Sequence, residues 1–261
     1  MALSIKDKSV LVTGGCRGIG YSCVHQLLLK GAKIVAILDM DSVCGEKAIQ
    51  KFNTEFGRNC TIFFSTNVSK AEEFESNFKK AVEKMGGLDI LINNAGIANE
   101  RNWDMMININ IKALIQGTFM AIDVMGKHKG GKGGTIINMS SISAFGAYVK
   151  IPVYAATKHA VIGFTRAIAL NYETTGVAIK AMCPGATDTS IISNTEYSNL
   201  VSQEEASSFA AKMPRQRTEV VGKETIRLIE EATNGAIWIN TLETSTLSLN
   251  IPDYTTYGTP V

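Results

Sequence analysis

Short apolar segments that alternate with helical stretches constrain the fold of this chain more than any other feature. These segments show no regular alternation of polar and apolar residues, so both faces of each strand would be buried. The predicted strands are SVLVT (from Ser9), KIVAILD, TIFFSTNV, LDILINNAG, GTIINMSS, VAIKAMCPG and AIWIN. Because helical stretches separate them, the strands predict a parallel sheet with helices on both faces. We therefore expect a single, doubly wound α/β domain spanning 1–261.

The helical stretches are amphipathic. In SKAEEFESNFKKAVEKMG the residues Phe74, Phe78, Ala81 and Met85 recur at helical spacing. Further helices are predicted at about 105–124, 154–172 and 222–232. The segment 187–218 is less regular and is rich in Ser, Asn and Glu. In a doubly wound fold such an insertion lies over the ligand cleft, so we interpret 187–218 as a substrate lid, with a plain surface loop as the alternative.

Composition excludes several classes of protein. The 261 residues are 45% apolar and 19% charged, with a formal net charge of only +2. This balance is typical of a globular protein, and it lacks the basic patch of a nucleic-acid-binding protein. The five cysteines are widely spaced and form no CxxC or Cys/His cluster, so we expect no metal site and a reducing compartment.

The ends and apolar runs of the chain also bear on its location. The N-terminal sequence MALSIKDKSV lacks the apolar centre of a signal peptide. No apolar run approaches the ~18 residues of a membrane span. We therefore expect a cytoplasmic protein without a membrane span.

A glycine-rich turn follows the first predicted strand. The sequence VTGGCRGIGYS places Gly14, Gly18 and Gly20 between a strand and a helix. Glycines allow a tight turn and let the backbone approach a pyrophosphate, which the helix N-terminus then attracts. Asp39 ends the next strand, nineteen residues after Gly20 (39 − 20), where a ribose-binding acid is expected. The pattern predicts a dinucleotide-binding fold of the Rossmann type.

The same turn bears on the choice of cofactor. The carboxylate of Asp39 can accept both ribose hydroxyls of NAD but would repel the 2′-phosphate of NADP. Arg17 lies in the turn and could reach such a phosphate, which keeps NADP open as the alternative. We favour NAD because of the carboxylate.

A tyrosine and a lysine lie four residues apart in PVYAATKHAVIGF. Tyr154 and Lys158 would share one face of a helix and lie within side-chain reach. Many helices carry such a pair on their surface. Only the motifs around it can indicate that this pair transfers protons in a reaction.

Four motifs occur together and in order: TGGCRGIG, NNAG, Tyr154-x-x-x-Lys158 and PGATDT. With these motifs the chain resembles the short-chain dehydrogenase/reductase family over nearly its whole length. The longer matches LLLKGAK, LDILINNAG, PVYAATKHAVIGFTRA and NGAIW resemble two of its branches. These are the NAD-dependent hydroxyprostaglandin dehydrogenases and the insect-type alcohol dehydrogenases.

The resemblance implies a catalytic set. Tyr154 would be the base and Lys158 its helper. The serine of the family lies thirteen residues before the tyrosine, which selects Ser141 over Ser140. The family asparagine aligns with Asn110, with Asn108 as the less favoured choice.

The resemblance also implies a set of cofactor-binding residues. They are Gly14, Arg17, Gly18, Ile19, Gly20, Asp39, Met40, Asn67, Val68, Asn94, Ala95, Gly96, Tyr154, Lys158, Pro184, Gly185, Thr187 and Thr189. Asn67 departs from the aspartate that is usual in the family. Its amide oxygen could still accept a hydrogen bond from the adenine amine.

The chemistry implied is alcohol oxidation. A free tyrosine, with a pKa of about 10, is a poor base near neutral pH. The neighbouring ammonium of Lys158 and the positive nicotinamide would both lower that pKa. Ser141 would orient the substrate oxygen, and Asn110 would hold a water that connects Lys158 to solvent.

The substrate side is less constrained. The prostaglandin enzymes carry a glutamine where this chain has Ile151. Together with Phe145, Tyr148 and Val149 this indicates a mainly hydrophobic pocket formed with Ser141 and Tyr154. We expect a secondary alcohol or ketone on an apolar skeleton, of an aliphatic, terpenoid, lipid or steroid type.

Two other functions stay open. One is an NADPH-dependent carbonyl reductase, and the other is a non-catalytic binding or storage protein related to the insect enzymes.

The resemblance further implies a homodimer or homotetramer formed by the helices that carry Asn110 and Tyr154. The C-terminal sequence LNIPDYTTYGTPV has no clear period.

Overall fold

One large sheet forms the centre of the molecule. The structure is a computed structural model that describes residues 4–57, 59–242 and 245–252. Its strands are β1 (Ser9–Thr13), β2 (Ile34–Asp39), β3 (Thr61–Ser65), β4 (Ile90–Asn93), β5 (Gly134–Met139), β6 (Val177–Pro184), β7 (Ile237–Thr241) and β8 (Ser245–Leu249). Their spatial order is β3-β2-β1-β4-β5-β6-β7-β8. Each of the predicted strands overlaps one of β1 to β7, although several of the observed strands are shorter.

All strand pairs from β3 to β7 are parallel, as predicted. The edge strand β8 pairs with β7 in the antiparallel sense, with Ile237 opposite Leu249. The sequence did not indicate β8. The C-terminal sequence LNIPDYTTYGTPV begins at the last residue of this strand, and 253–261 lie outside the described residues.

Ten α-helices accompany the strands in the part of the chain that the structure describes. They are α1 (Gly18–Leu29), α2 (Ser42–Glu55), α3 (Ala71–Met85), α4 (Trp103–Ile107), α5 (Leu114–Met125), α6 (Pro152–Ala169), α7 (Tyr172–Thr175), α8 (Ser190–Ser193), α9 (Gln203–Lys212) and α10 (Thr218–Glu231). A π-helical turn, Asn108–Ala113, joins α4 to α5.

Local chemistry fixes several helix ends. Asp41 caps α2 by accepting a hydrogen bond from the backbone N–H of Cys44. Gly86 ends α3 in the left-handed region, with φ 75°, which glycine adopts without steric cost. Pro152 occupies the first turn of α6, where its missing N–H is no loss. The helix predicted at 222–232 begins four residues earlier, at Thr218.

Successive residues of the central strands pack alternately into two hydrophobic cores, one on each face of the sheet. Val10 and Val12 pack on the face that α1 and α10 cover. Leu11, between them, packs on the opposite face against α3 and α5. This arrangement explains why the strands lack polar alternation, and it confirms the doubly wound fold with helices on both faces. Truncating a core residue such as Leu11 to alanine would cost about 2–5 kcal/mol.

The stretch Trp103–Met125 is long and apolar enough to cross a membrane by those two measures alone. Leu114, Ala121 and Met125 are buried within the fold. A helix packed on a sheet in a soluble protein meets the same test, so this is weak evidence for a membrane span.

The strand order reverses between β1 and β4. The chain passes outward from β1 to β3 and then returns to place β4 on the other side of β1. In open α/β sheets, ligands bind at the carboxyl ends of the strands on either side of such a reversal. The fold therefore directs attention to the segments after Thr13, Asp39, Asn93, Met139 and Pro184.

Candidate active site

A cavity of about 440 Å³ lies at this edge of the sheet. Most of the residues predicted for the site lie in its wall: Gly14, Arg17, Gly18, Ile19, Asp39, Met40, Asn67, Val68, Asn94, Ala95, Gly96, Ser141, Tyr148, Ile151, Tyr154, Lys158, Pro184, Gly185, Thr187 and Thr189. The structure thus brings together residues from both halves of the chain. Gly20, Asn110 and Phe145 are not part of this wall.

The glycine-rich turn is built for close approach of the backbone. Gly14 and Gly18 both have positive φ, of 64° and 58°. Gly20 has another role, because a Cβ there would lie 2.2 Å from the carbonyl oxygen of Gly14. The side-chain amide of Asn94 donates to the carbonyl oxygens of Thr13 and Gly14 at 3.0 and 2.9 Å. The end of β4 therefore holds the turn that follows β1.

Asp39 is buried at the end of β2 and faces the same cavity. One of its carboxylate oxygens accepts a hydrogen bond from the backbone N–H of Cys16 at 3.2 Å. The other accepts from the N–H of Asp41 at 3.2 Å. Arg17 forms its ion pair with Asp41, at 3.3 Å. The carboxylate predicted to bind ribose is thus held in place by backbone donors.

Asn67 is placed differently from what we expected. Its side-chain oxygen accepts from both the backbone N–H and the hydroxyl of Ser69, at 3.0 and 2.7 Å. Both lone pairs of the oxygen that we assigned to the adenine amine are therefore occupied within the chain. The sequence could not show this, because an Asx turn of this kind competes locally for the same atom.

Ser141 and Tyr154 both line the cavity. The Ser141 side chain lowers the pKa of the Tyr154 phenol, but burial raises it more, to about 12. Ser141 also begins a short 3₁₀ turn, where its hydroxyl oxygen accepts from the N–H of Ser143 at 3.2 Å. The neighbouring Ser140 points elsewhere, and its hydroxyl donates to the backbone carbonyl of Lys158 at 2.9 Å.

Lys158 is buried beside Tyr154. Its Nζ donates to the backbone carbonyl of Met139 at 3.0 Å and lies 5.5 Å from the centre of the Tyr154 ring. Burial lowers the pKa of Lys158 to about 8, because a charged ammonium loses hydration there. We expected the lysine to lower the phenol's pKa, whereas within the chain itself the cost of burial dominates for both groups.

Asn110 lies in the π-helical turn and is buried behind the cavity wall. Its side chain pairs with both backbone groups of Ile97, accepting from the N–H at 3.0 Å and donating to the carbonyl at 2.9 Å. It also donates to the hydroxyl of Thr157 at 3.2 Å. A Cβ on Gly96 would contact both the Asn110 oxygen and the Lys158 Nζ. Asn108, the less favoured choice, bonds instead to Asp104.

The PGATDT segment completes the opposite wall. The Thr187 hydroxyl donates to the carbonyl of Gly185 at 2.9 Å and accepts from the Gln216 amide at 3.3 Å. Thr189 lies against the glycine-rich turn, where its methyl group would be 3.2 Å from a Cβ on Gly18. The segment therefore bridges the predicted nicotinamide and pyrophosphate regions.

The outer part of the cavity is apolar. Besides Ile151 and Tyr148, its wall includes residues that the sequence did not single out: Ile97, Ile109, Ile142, Ile191, Ile192, Tyr197, Phe209 and Met213. Phe145 is 37% exposed and Val149 is 61% exposed, and neither lies in this wall. The assignment of Phe145 to the substrate pocket is therefore corrected. Phe145 ends the 3₁₀ turn, and Ile142 and Ser143 of that turn face the cavity instead.

A buried polar residue beside the site that the sequence did not indicate is Glu100. Its carboxylate accepts from the backbone N–H groups of Val153 and Tyr154 at the start of α6. Val153 and Tyr154 lie 53 and 54 positions after Glu100 in the chain, and no local pattern connects them to it. Among the described residues, no group of three or more His, Cys, Asp or Glu side chains could hold a metal ion.

A glycine-rich turn, an acid at the end of β2 and a Ser–Tyr–Lys cluster within one cavity define a dinucleotide-dependent oxidoreductase. The family model described as short chain dehydrogenase matches residues 8–199. The chain therefore belongs to the short-chain dehydrogenase family and is an oxidoreductase with the NAD(H)-binding fold.

Individual relatives agree with this assignment. The chain is 41% identical over 196 residues to the 15-hydroxyprostaglandin dehydrogenase (NAD(+)) of Bos taurus, covering 74% of this chain and 73% of the bovine protein. It is 32% identical over 247 residues to Alcohol dehydrogenase 2 of Ceratitis cosyra, covering 91% and 93% of the two chains.

Solved structures support the fold. A dehydrogenase/reductase from Sinorhizobium meliloti 1021 superposes with a TM-score of 0.75 at 26% identity, covering 91% of this chain and 96% of that chain. A 3-ketoacyl-(acyl-carrier-protein) reductase from Brucella melitensis, complexed with NADH, has a TM-score of 0.76 at 20% identity, with coverage of 92% and 98%.

Proposed function

We propose that this protein is an NAD-dependent dehydrogenase that oxidises a secondary alcohol on an apolar skeleton, with Tyr154 as the base. The observation that carries the proposal is the single cavity whose wall contains Asp39, Ser141, Tyr154 and Lys158 together with apolar side chains. A polar reaction centre thus lies between a nucleotide-binding wall and an apolar wall.

The residues divide the chemistry among them. Tyr154 removes the hydroxyl proton of the alcohol, while Ser141 donates a hydrogen bond to the same substrate oxygen and orients it. Lys158 places a cation beside the phenol and favours its ionised form. NAD, which the glycine-rich turn and Asp39 would hold, would supply the hydride acceptor. Asn110 fixes the backbone of Ile97 through two hydrogen bonds. In this position it supports the water that connects Lys158 to solvent.

NAD is favoured over NADP by the contacts at the end of β2. The buried carboxylate of Asp39 can accept the ribose hydroxyls and would repel a 2′-phosphate. Arg17, the residue that keeps NADP open, is paired with Asp41. The bovine relative, whose name specifies NAD(+), supports the same choice. An NADPH-dependent carbonyl reductase is therefore the less favoured alternative.

The substrate class follows from the outer wall of the cavity. Ile151, Ile191 and Ile192 line it, together with Tyr197 and Phe209, whose rings meet edge to face with centroids 6.4 Å apart. Apolar walls of this kind gain about 25 cal/mol for each Å² of ligand surface they remove from water. A sugar alcohol would exchange much of its hydration for contacts with these apolar side chains.

The segment 187–218 supplies several of these contacts through α8 and α9, so we propose that it acts as the substrate lid of a single domain spanning 1–261. We also propose a cytoplasmic location, because the five cysteines are present as thiols and a reducing compartment suits them.

We further propose a homodimer or homotetramer formed through the outward faces of α5 and α6. Phe119 is 49% exposed and meets Phe164 with ring centroids 6.0 Å apart. A pair of surface aromatic residues on two neighbouring helices is suited to a two-fold interface. Light scattering of the wild type and of F119S/F164S would test this, with a shift to monomer expected for the variant.

The direct test of the function is a substrate panel. We expect NADH formation with apolar secondary alcohols, and a lower kcat/KM with NADP+ than with NAD+. Absence of turnover despite NADH binding would instead support the non-catalytic alternative, and a preference for polar sugar alcohols would contradict the substrate class.

A further inference from the structure

The carboxylate of Glu100 is buried against the start of helix α6. Only 9% of this residue is exposed. One carboxylate oxygen accepts from the backbone N–H of Tyr154 at 2.8 Å, and the other accepts from the N–H of Val153 at 3.0 Å. Glu100 thus binds the backbone of the residue that we propose as the base.

Within the part of the chain that the structure describes, no other side chain caps the first N–H groups of helix α6. The N-cap position is Ile151, whose side chain forms no capping hydrogen bond, and Pro152 follows it. The first N–H groups of a helix have no partner within the helix, and a carboxylate there is favoured by the positive end of the helix dipole. Glu100 therefore performs the capping function from a distant part of the chain.

The backbone of Glu100 makes a second connection, to the proposed lid. Its N–H donates to the carbonyl of Glu196 at 2.8 Å, and the N–H of Glu196 donates to the carbonyl of Ala98 at 3.3 Å. The next residue, Tyr197, lies in the apolar wall of the cavity. Glu100 consequently lies between the segment that contacts substrate and the helix that carries Tyr154.

We propose that Glu100 is a positioning residue for the reaction, which sets the place of the Tyr154 phenol by holding the first turn of α6 against the lid. This inference rests on the proposed function, because Tyr154 is its target. A displacement of a reacting group by about 1 Å can cost on the order of 100-fold in rate. Loss of the two hydrogen bonds would therefore lower turnover without touching the nucleotide-binding wall.

The experiment compares Glu100→Ala and Glu100→Gln with the matched control Glu196→Gln. Glutamine keeps a single acceptor oxygen, so E100Q retains one of the two bonds. Glu196 is exposed, and only its backbone takes part in the pairing, so E196Q removes a charge nearby without breaking a bond of this pairing. Three quantities are measured for each protein: kcat per NADH-binding site, the Kd for NADH, and amide hydrogen exchange of the peptide over 152–158.

We expect kcat per site to fall about 10- to 100-fold in E100A. E100Q should lie between E100A and the wild type, while E196Q should match the wild type. The Kd for NADH should change less than twofold, and exchange at Val153 and Tyr154 should accelerate in E100A. A general loss of folding would instead lower the number of NADH sites and leave kcat per site unchanged.

An E100A protein with wild-type kcat per site, or with unchanged exchange over 152–158, would overturn the positioning role. A wild-type protein that oxidises no alcohol would overturn the proposed function instead. The exchange data do not depend on turnover, so they would still decide whether Glu100 holds the start of α6.

Discussion

The ammonium of Lys158 lies over the ring of Tyr154, 5.5 Å from its centre, and its hydrogen bond goes to the carbonyl of Met139. Within the chain, burial raises the pKa of Tyr154 to about 12 and lowers that of Lys158 to about 8. Lys158 thus lies beside the phenol while its Nζ donates to another group, and burial is the largest cause of the pKa shift of both residues.

Replacing Lys158 by methionine should move the pH dependence of alcohol oxidation to higher pH. A cation near a phenol lowers its pKa, so removing the cation raises that pKa and leaves less phenolate at any given pH. We expect a shift of about one unit or more, and a kcat at pH 7 that is at least ~10-fold lower. The measurement is kcat against pH, and an unchanged profile would contradict this electrostatic role.

Replacing Ser141 by alanine should lower kcat by about 100-fold, because the substrate oxygen loses its hydrogen-bond donor. The comparison is Ser140→Ala, which removes a bond to the backbone of Lys158. That variant should lose about 1 kcal/mol in the free energy of unfolding and much less of kcat. Equal effects on kcat would argue against the choice of Ser141.

Replacing Asp41 by asparagine should make NADP a better cofactor. The ion pair with Arg17 is lost, while the amide oxygen can still cap α2 through the N–H of Cys44. An exposed ion pair is worth up to about 1 kcal/mol, so kcat/KM for NADP should rise by up to about fivefold relative to NAD. Adding Arg17→Gln should abolish the gain; a gain that survives this second change would show that Arg17 is not its source.

The buried Lys180 predicts a pH-dependent contribution to stability. Its Nζ donates to the carbonyls of Leu228 and Ile229 at 3.0 and 2.9 Å, and burial lowers its pKa to about 8. An unfolded lysine has a pKa of about 10.4, so between these values the unfolded chain binds more protons and stability rises with pH.

The stability of the wild type relative to Lys180→Met should therefore increase between pH 8 and pH 10, by on the order of 2 kcal/mol. The buried tyrosine and cysteines titrate in both proteins, so the difference isolates the lysine. Thermal or urea unfolding at each pH measures it, with the exposed Lys47→Met as the control. A stability difference between the wild type and Lys180→Met that stays constant from pH 8 to pH 10 would contradict the lowered pKa of Lys180.

The sequence was sufficient for the central sheet because burial on both faces of a strand leaves a local signature. Leu11 lies in one core, while Val10 and Val12 lie in the other. Such a strand is therefore mostly apolar, and this continuous apolar run can be recognised in the sequence alone. The edge strand β8 lacks such a signature. Leu247 is exposed there, and the strand depends on pairing with β7.

The site was predictable where chemistry follows the chain closely, as for Asp39 after β2 and for the i,i+4 pair of Tyr154 and Lys158. It was not predictable where partners meet only through the fold. Glu100 reaches the start of α6 from 54 positions away, and Tyr197 enters the cavity on an irregular segment. Phe145 shows the converse, since proximity in sequence to Ser141 does not place its side chain in the cavity.

The most direct test of the central claim is the turnover of Tyr154→Phe with an apolar secondary alcohol and NAD+, followed through the absorbance of NADH. Phenylalanine keeps the ring and removes only the group that accepts the proton. We predict that turnover disappears into the background while the Kd for NADH stays within a few-fold of the wild type. A Tyr154→Phe protein with wild-type kcat would contradict the assignment of the base, and with it the mechanism.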